Sequence, residues 1–95
     1  MITDELCEKL IGISKTSPYS FDDVCRMYTN LMQTGLSSDD SLRILEDGLY
    51  HEYTQLINSG FSSEPIADGM KELARSNKII EWFKKLKRKI SDYHG

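Results

Sequence analysis

The sequence predicts an all-α domain, a compact bundle of four to five short helices, and three observations lead to this prediction. Apolar residues recur at the three- and four-residue spacing of amphipathic helices along the chain. No segment alternates apolar and polar residues as a half-buried strand does. An eleven-residue phrase occurs twice, 25 positions apart, which indicates one local structure used twice.

The repeated phrase reads YTNLMQTGLSS from Tyr28 to Ser38 and YTQLINSGFSS from Tyr53 to Ser63. Each copy places a Gly after a helical pattern, then an apolar residue, then two Ser. Glycine readily adopts the left-handed conformation that ends a helix, and serine is a favourable N-cap for the next helix. We therefore predict an internal 25-residue helix-turn-helix repeat.

The first two predicted helices begin after capping residues. The first spans residues 4–13, with Thr3 as its N-cap. A turn follows, because Pro18 favours an extended residue before it. The second helix begins after the N-cap Ser20 and ends at Gly35. Its apolar residues follow the spacing of one buried helical face.

The third predicted helix begins near Ser38 and continues to Ser59. It contains Gly48, and glycine costs about 1 kcal/mol in a helix interior. Either a kink or a break at Asp47-Gly48 is consistent with the sequence.

The last two predicted helices span residues 63–75, with Ser63 as the N-cap, and residues 78–93. Residues 76–77 form a short turn between them. The final helix carries an apolar stripe that includes Trp82 and a strongly basic remainder.

Length and composition indicate one helical domain over residues 1–95. The chain is 39% hydrophobic and 28% charged, and its apolar runs are at most two residues long, so we expect no membrane-spanning helix. The first residues lack a basic segment followed by an apolar run, so we expect no signal peptide. The expected location is the cytoplasm of a cell or of a host cell.

The sequence predicts neither a metal site nor a cofactor. Cys7 and Cys25 lie on apolar helical stripes and are expected to be reduced, buried thiols, with a disulfide as the alternative. Two isolated cysteines together with distant His51 and His94 do not make a zinc ligand set.

Charge is unevenly distributed. Residues 1–68 hold 12 acidic and 4 basic side chains, whereas residues 69–95 hold 3 acidic and 8 basic ones. Such asymmetry predicts either a surface for a charged partner or internal complementarity, in which the basic last helix lies across the acidic body. We favour the internal interpretation from sequence alone.

One stretch resembles a known family. Leu56-Ile57 followed by Ser59-Gly60-Phe61, then the helical pattern of residues 67–73 and the segment NKIIEWFKKL from Asn77, resembles a ubiquitin-associated (UBA) domain or the wider UBA-like three-helix class. The resemblance covers residues 55–86, and Ser59 stands where the family has Met. It implies a compact helical module that binds another protein.

The candidate partner-binding residues come from the two turns and the last helix. In the turns, Leu36 and Phe61 either pack back on the helix just ended or grip a partner from an exposed loop. The complete candidate set is Leu36, Phe61, Trp82, Lys84, Lys85, Lys87, Arg88 and Lys89.

The sequence predicts a protein without catalytic residues. Neighbouring carboxylates, such as Asp22-Asp23, sit at adjacent helical positions that point apart. His51 is expected at the surface or at the edge of its helix. We find no glycine-rich phosphate loop and no nucleophile beside a base at a recognisable spacing.

The leading hypothesis is a small adaptor or inhibitor that binds another protein, and a bacterial or phage regulatory protein fits the size. Two alternatives stay open. The basic last helix could bind nucleic acid, or the acidic segment 22–47 could mimic a nucleic-acid backbone and inhibit a nucleic-acid enzyme. The partner's identity and the oligomeric state are not specified by the sequence.

Overall fold

This computed structural model describes residues 3–72 and 76–94. In these residues the chain forms six helices joined by turns, and no strand. The all-α prediction is confirmed. The helices are α1 (Asp4–Thr16), α2 (Phe21–Gln33), α3 (Ser38–Glu46), α4 (Tyr50–Asn58), α5 (Ser63–Glu72) and α6 (Ser76–His94).

Serine and threonine hydroxyls cap the first three helices. Thr3 Oγ1 accepts a hydrogen bond from the Leu6 amide, and Ser20 Oγ accepts one from the Asp23 amide, both at 3.2 Å. The third helix begins at Ser38, as predicted, and its cap is Ser37. A side-chain acceptor satisfies an amide that has no partner inside the helix.

Several predicted boundaries differ from those observed. The first helix continues to Thr16, three residues past its predicted end at Ile13. Ser63, predicted as a cap, is the first residue of α5. Ser76, assigned to a turn, begins α6. The predicted end of the fourth helix at Arg75 lies outside the described residues.

Three glycines with positive φ end α2, α3 and α4. They are Gly35 (106°), Gly48 (70°) and Gly60 (103°), and no non-glycine residue in the described part of the chain has a positive φ. The predicted third helix is therefore two helices, separated at Gly48. The repeat predicted the first and third of these turns, and the structure adds a second between them.

Two of the turns close in the same way. The Leu49 amide donates to the Ile44 carbonyl at 2.9 Å, and the Phe61 amide donates to the Leu56 carbonyl at 3.0 Å. Each bond spans the glycine and satisfies a carbonyl in the last turn of the preceding helix, as in a Schellman motif. These turns connect their helices with three residues (47–49) and four residues (59–62).

The two copies of the repeat contact each other. The Tyr53 hydroxyl lies 2.6 Å from Thr34 Oγ1, and Tyr53 is fully buried. Gly35 faces Ser63, and a Cβ added at Gly35 would lie 2.8 Å from Ser63 Oγ. The second copy therefore packs directly on the turn of the first.

One hydrophobic core joins all six helices. α2 packs against α1 and α3, and α4 packs against α6. The molecule is elongated, with principal extents of 44 × 24 × 23 Å. Among the described side chains, the buried apolar residues are Leu10, Ile13, Val24, Tyr28, Leu31, Leu36, Leu42, Ile44, Leu45, Leu49, Tyr53, Leu56, Ile66, Met70, Ile79 and Phe83.

None of the helices within residues 3–72 and 76–94 combines the length and the apolar character needed to cross a lipid bilayer.

Candidate functional site

The outer side of α6 carries a row of exposed basic side chains. We call it the basic face; it consists of Lys84, Lys85, Arg88 and Lys89. Ile79 and Phe83 point into the core and are 0% and 1% exposed. Since residues four apart share a side of a helix, Lys84 and Arg88 extend together along the outer side. The side chain of Lys87 lies outside what the structure describes.

All four side chains of the basic face are exposed, and Glu81 lines a surface depression with Lys84, Lys85 and Arg88. Among the described residues, no ion pair joins the basic face to a carboxylate. The ion pairs that occur there are exposed and local, Lys9–Glu5 on α1 at 3.8 Å and Arg26–Asp23 on α2 at 3.9 Å. α6 packs on α4 with its apolar side inward, and among the described residues no ion pair adds support to the predicted complementarity between the basic helix and the acidic body.

Trp82 lies at one border of the basic face and is half-buried. Its ring covers Gly69 of α5, where an added Cβ would lie 2.5 Å from Trp82 Cζ2 and 2.8 Å from Cζ3. Lys78, Lys85 and Lys89 lie four residues before, three after and seven after Trp82, so they share its side of α6. All three lysines are exposed. We call Trp82 with these lysines the Trp82 edge.

The two turn residues proposed as partner contacts differ in exposure. Leu36 is 3% exposed and belongs to the core. Of the two alternatives, Leu36 therefore follows the one in which the side chain packs into the fold. Almost none of its surface is available to a partner. Phe61 is half-buried and packs against the same core while keeping part of its ring at the surface.

The acidic segment does not present all its carboxylates. Asp22, Asp39 and Glu46 are exposed, whereas Asp40 is 7% exposed. Asp23 pairs with Arg26. The acidic segment therefore presents fewer exposed carboxylates than its sequence alone suggests.

Arg43 connects α3 to α5. Its Nη1 donates to the Met70 carbonyl at 3.1 Å. Burial raises the pKa of the Asp47 carboxyl above its ordinary value, while the charge of Arg43 opposes that shift. Asp47 is the C-cap of α3, where the helix dipole also disfavours a negative charge.

Both cysteines are free thiols, and they are partly buried where the sequence predicted buried ones. Burial raises the pKa of the Cys25 thiol, and Cys7 and Asp22 add to that shift. A raised pKa disfavours the thiolate, which is the nucleophilic and metal-binding form. No group of three or more His, Cys, Asp or Glu in the described ranges could hold a metal ion.

Sequence reasoning missed a cleft of about 310 Å³ between the α1–α2 loop, α2 and the α3–α4 turn. Its lining comprises Ile13, Thr16, Ser17, Pro18, Tyr19, Val24, Met27, Leu45, Glu46, Gly48, Tyr50 and His51. The Tyr19 hydroxyl and His51 Nε2 lie 3.2 Å apart and connect the loop to α4. No sequence signal identified this site, because its residues are distant in the chain and follow no motif.

No protein-family model matches the chain, and comparisons with curated proteins and with solved structures give no match either.

Proposed function

We propose that this chain is a non-catalytic interaction module that binds another protein through the Trp82 edge and the basic face. The observation that carries the proposal is a half-buried tryptophan beside exposed lysines that make no ion pair within the described residues. Tryptophan and arginine are enriched among the residues that dominate binding energy at protein interfaces.

The partner's surface is acidic under this proposal. Opposite charges on the two proteins accelerate association and set the orientation of docking. The acidic side chains of α2 and α3 would repel the same partner, so they restrict it to the α6 side. The UBA-like resemblance of residues 55–86, which include α5 and most of α6, supports the same class of function, a small helical binding module.

The test is capture of proteins from an extract of the cells that make this protein, analysed by mass spectrometry. The bait variant Lys85→Glu/Lys89→Glu reverses two charges beside Trp82. The matched control Lys9→Glu/Lys15→Glu makes the same change in net charge on α1, where both lysines are exposed. Circular dichroism verifies that each bait is helical.

A protein captured by the wild type and the control, and lost with the α6 variant, supports the proposal. Equal capture by all three baits contradicts it, since binding then does not involve α6. We expect the loss to be reproduced with purified partner, at a cost of at least about 1 kcal/mol in binding free energy.

Nucleic-acid binding through the same helix is the second candidate. The observation in its favour is the row formed by Lys84, Lys85 and Arg88 on the outer side of α6. Labelled single-stranded and duplex DNA and RNA, titrated with the wild type at two salt concentrations, distinguish the candidates. Micromolar binding with a steep loss on adding salt favours nucleic acid, and absence of such binding favours a protein partner.

A further inference from the structure

We propose that the cleft between the α1–α2 loop and the α3–α4 turn binds a small organic cation with an apolar body, of the aryl-alkyl ammonium class. This site is separate from α6 and does not depend on the proposed protein partner. Its volume of about 310 Å³ lies near the lower end of small-molecule sites.

The floor of the cleft is apolar. Ile13, Val24 and Leu45 contribute side chains that are 7%, 0% and 6% exposed. Met27 completes this surface and is half-buried. An aromatic or aliphatic group placed here loses contact with water and gains contacts with a fixed core. Methionine adapts to irregular ligand shapes and makes favourable contacts with aromatic rings.

The rim is aromatic and oriented by hydrogen bonds. The Tyr19 hydroxyl and His51 Nε2 lie 3.2 Å apart, and Asn30 Nδ2 donates to the Tyr50 hydroxyl at 3.1 Å. The rings of Tyr50 and His51 meet edge to face, with centroids 6.0 Å apart. Held tyrosine rings provide faces that attract a cation.

The negative charge at the rim of the cleft favours a positively charged ligand. Glu46 is the carboxylate among the lining residues, all of which are described, and the lining includes no Lys or Arg. Glu46 is exposed, so an ammonium group reaching the mouth of the cleft meets its carboxylate without displacing a buried ion. An anionic ligand would be repelled by the same group, and a neutral ligand would gain nothing from it.

Three matched probes test this inference: phenethylamine, phenethyl alcohol and phenylacetate share a ring and a short chain but are positive, neutral and negative. Each is titrated into the full chain and followed by NMR at the Met27 methyl and the His51 ring. The methyl group of Met32, 40% exposed and outside the cleft lining, is the internal control.

We expect the amine to shift the Met27 and His51 signals, to leave Met32 unchanged, and to bind up to about five-fold more tightly than the alcohol, as an exposed ion pair allows. Glu46→Gln is expected to reduce the amine's affinity to that of the alcohol, while Glu8→Gln on exposed α1 surface leaves it unchanged. The inference is wrong if the alcohol or phenylacetate binds as tightly as the amine. It is also wrong if no probe shifts the cleft signals at about 10 mM, a concentration at which so small a ligand should bind.

Discussion

Gly69 shows how one missing methyl group positions the proposed binding residue. The Trp82 ring occupies the space that a Cβ at this position would fill. Trp82 is half-buried, with its ring against Gly69 on one side and the lysines of α6 beside it on the other. The glycine therefore leaves the room that the Trp82 ring occupies against α5.

We predict that Gly69→Ala destabilises the protein by about 1–3 kcal/mol, because the new methyl group displaces the Trp82 ring. Gly12→Ala is the matched control. That glycine is also helical but has nothing within 4 Å of an added Cβ, so alanine should stabilise α1 by up to about 1 kcal/mol. Urea unfolding followed by circular dichroism measures both, and the fluorescence of Trp82, the chain's single tryptophan, reports its displacement. Equal effects of the two substitutions would show that the ring does not contact Gly69.

Asp47 gives a pH-dependent prediction. Burial raises the pKa of its carboxyl from the ordinary value of 3.8, so the folded state binds this proton more tightly than the unfolded state does. That contribution to stability is complete below pH 3.8 and is lost as the pH rises through the folded-state pKa. Asp47→Asn is uncharged at every pH, so we expect it to be more stable than the wild type at pH 7 and equal to it in acid.

The control for Asp47 is Asp39→Asn. Asp39 is exposed in the first turn of α3, where a negative charge is favourable, so its loss should cost about 0.3–1 kcal/mol at pH 7. Urea unfolding at pH 7 and at about pH 3 measures both variants. A less stable Asp47→Asn at pH 7 would mean that attraction to Arg43 outweighs burial.

At the scale of the helices, the sequence correctly predicted the positions of two glycine turns. The repeated phrase located the turns at Gly35 and Gly60 because helix ends depend on local backbone conformation. The same reasoning left Gly48 as either a kink or a break. The structure resolves it as a break, since the Leu49 amide bonds back to Ile44 and Leu49 enters the core.

Contact between the two repeat copies makes their glycines unequal. We predict that Gly60→Ala costs about 1–3 kcal/mol, the strain of a positive φ in a non-glycine residue. Gly35→Ala should cost more, because its Cβ also meets Ser63 Oγ. Adding Ser63→Ala to Gly35→Ala should recover part of the difference, and adding it to Gly60→Ala should not. Thermal and urea unfolding of the wild type, the two glycine variants and the two double variants measure these free energies of unfolding. If Ser63→Ala restores no stability to Gly35→Ala, the contact between Gly35 and Ser63 is ruled out.

For the whole molecule, the sequence predicted the helical class and the separation of charge but not the direction in which the charge points. Helical periodicity and caps are local properties, so they are readable from neighbouring residues. The orientation of α6 and the cleft beside Tyr19 and His51 depend on packing between distant segments, which no local pattern specifies. Leu36 illustrates the same limit, because only the folded chain shows that this turn residue is buried.

The central claim is that the basic face of α6 is available to a partner and does not hold the fold together. The direct test is the free energy of unfolding of the variant that replaces Lys84, Lys85, Arg88 and Lys89 by Gln, measured in urea at low salt. We predict a value equal to the wild type or higher by up to about 1 kcal/mol, because Gln keeps helix propensity and removes repulsion between like charges. A loss of more than about 1 kcal/mol would contradict the claim, since it would mean that these side chains stabilise the fold by pairing with the acidic helices.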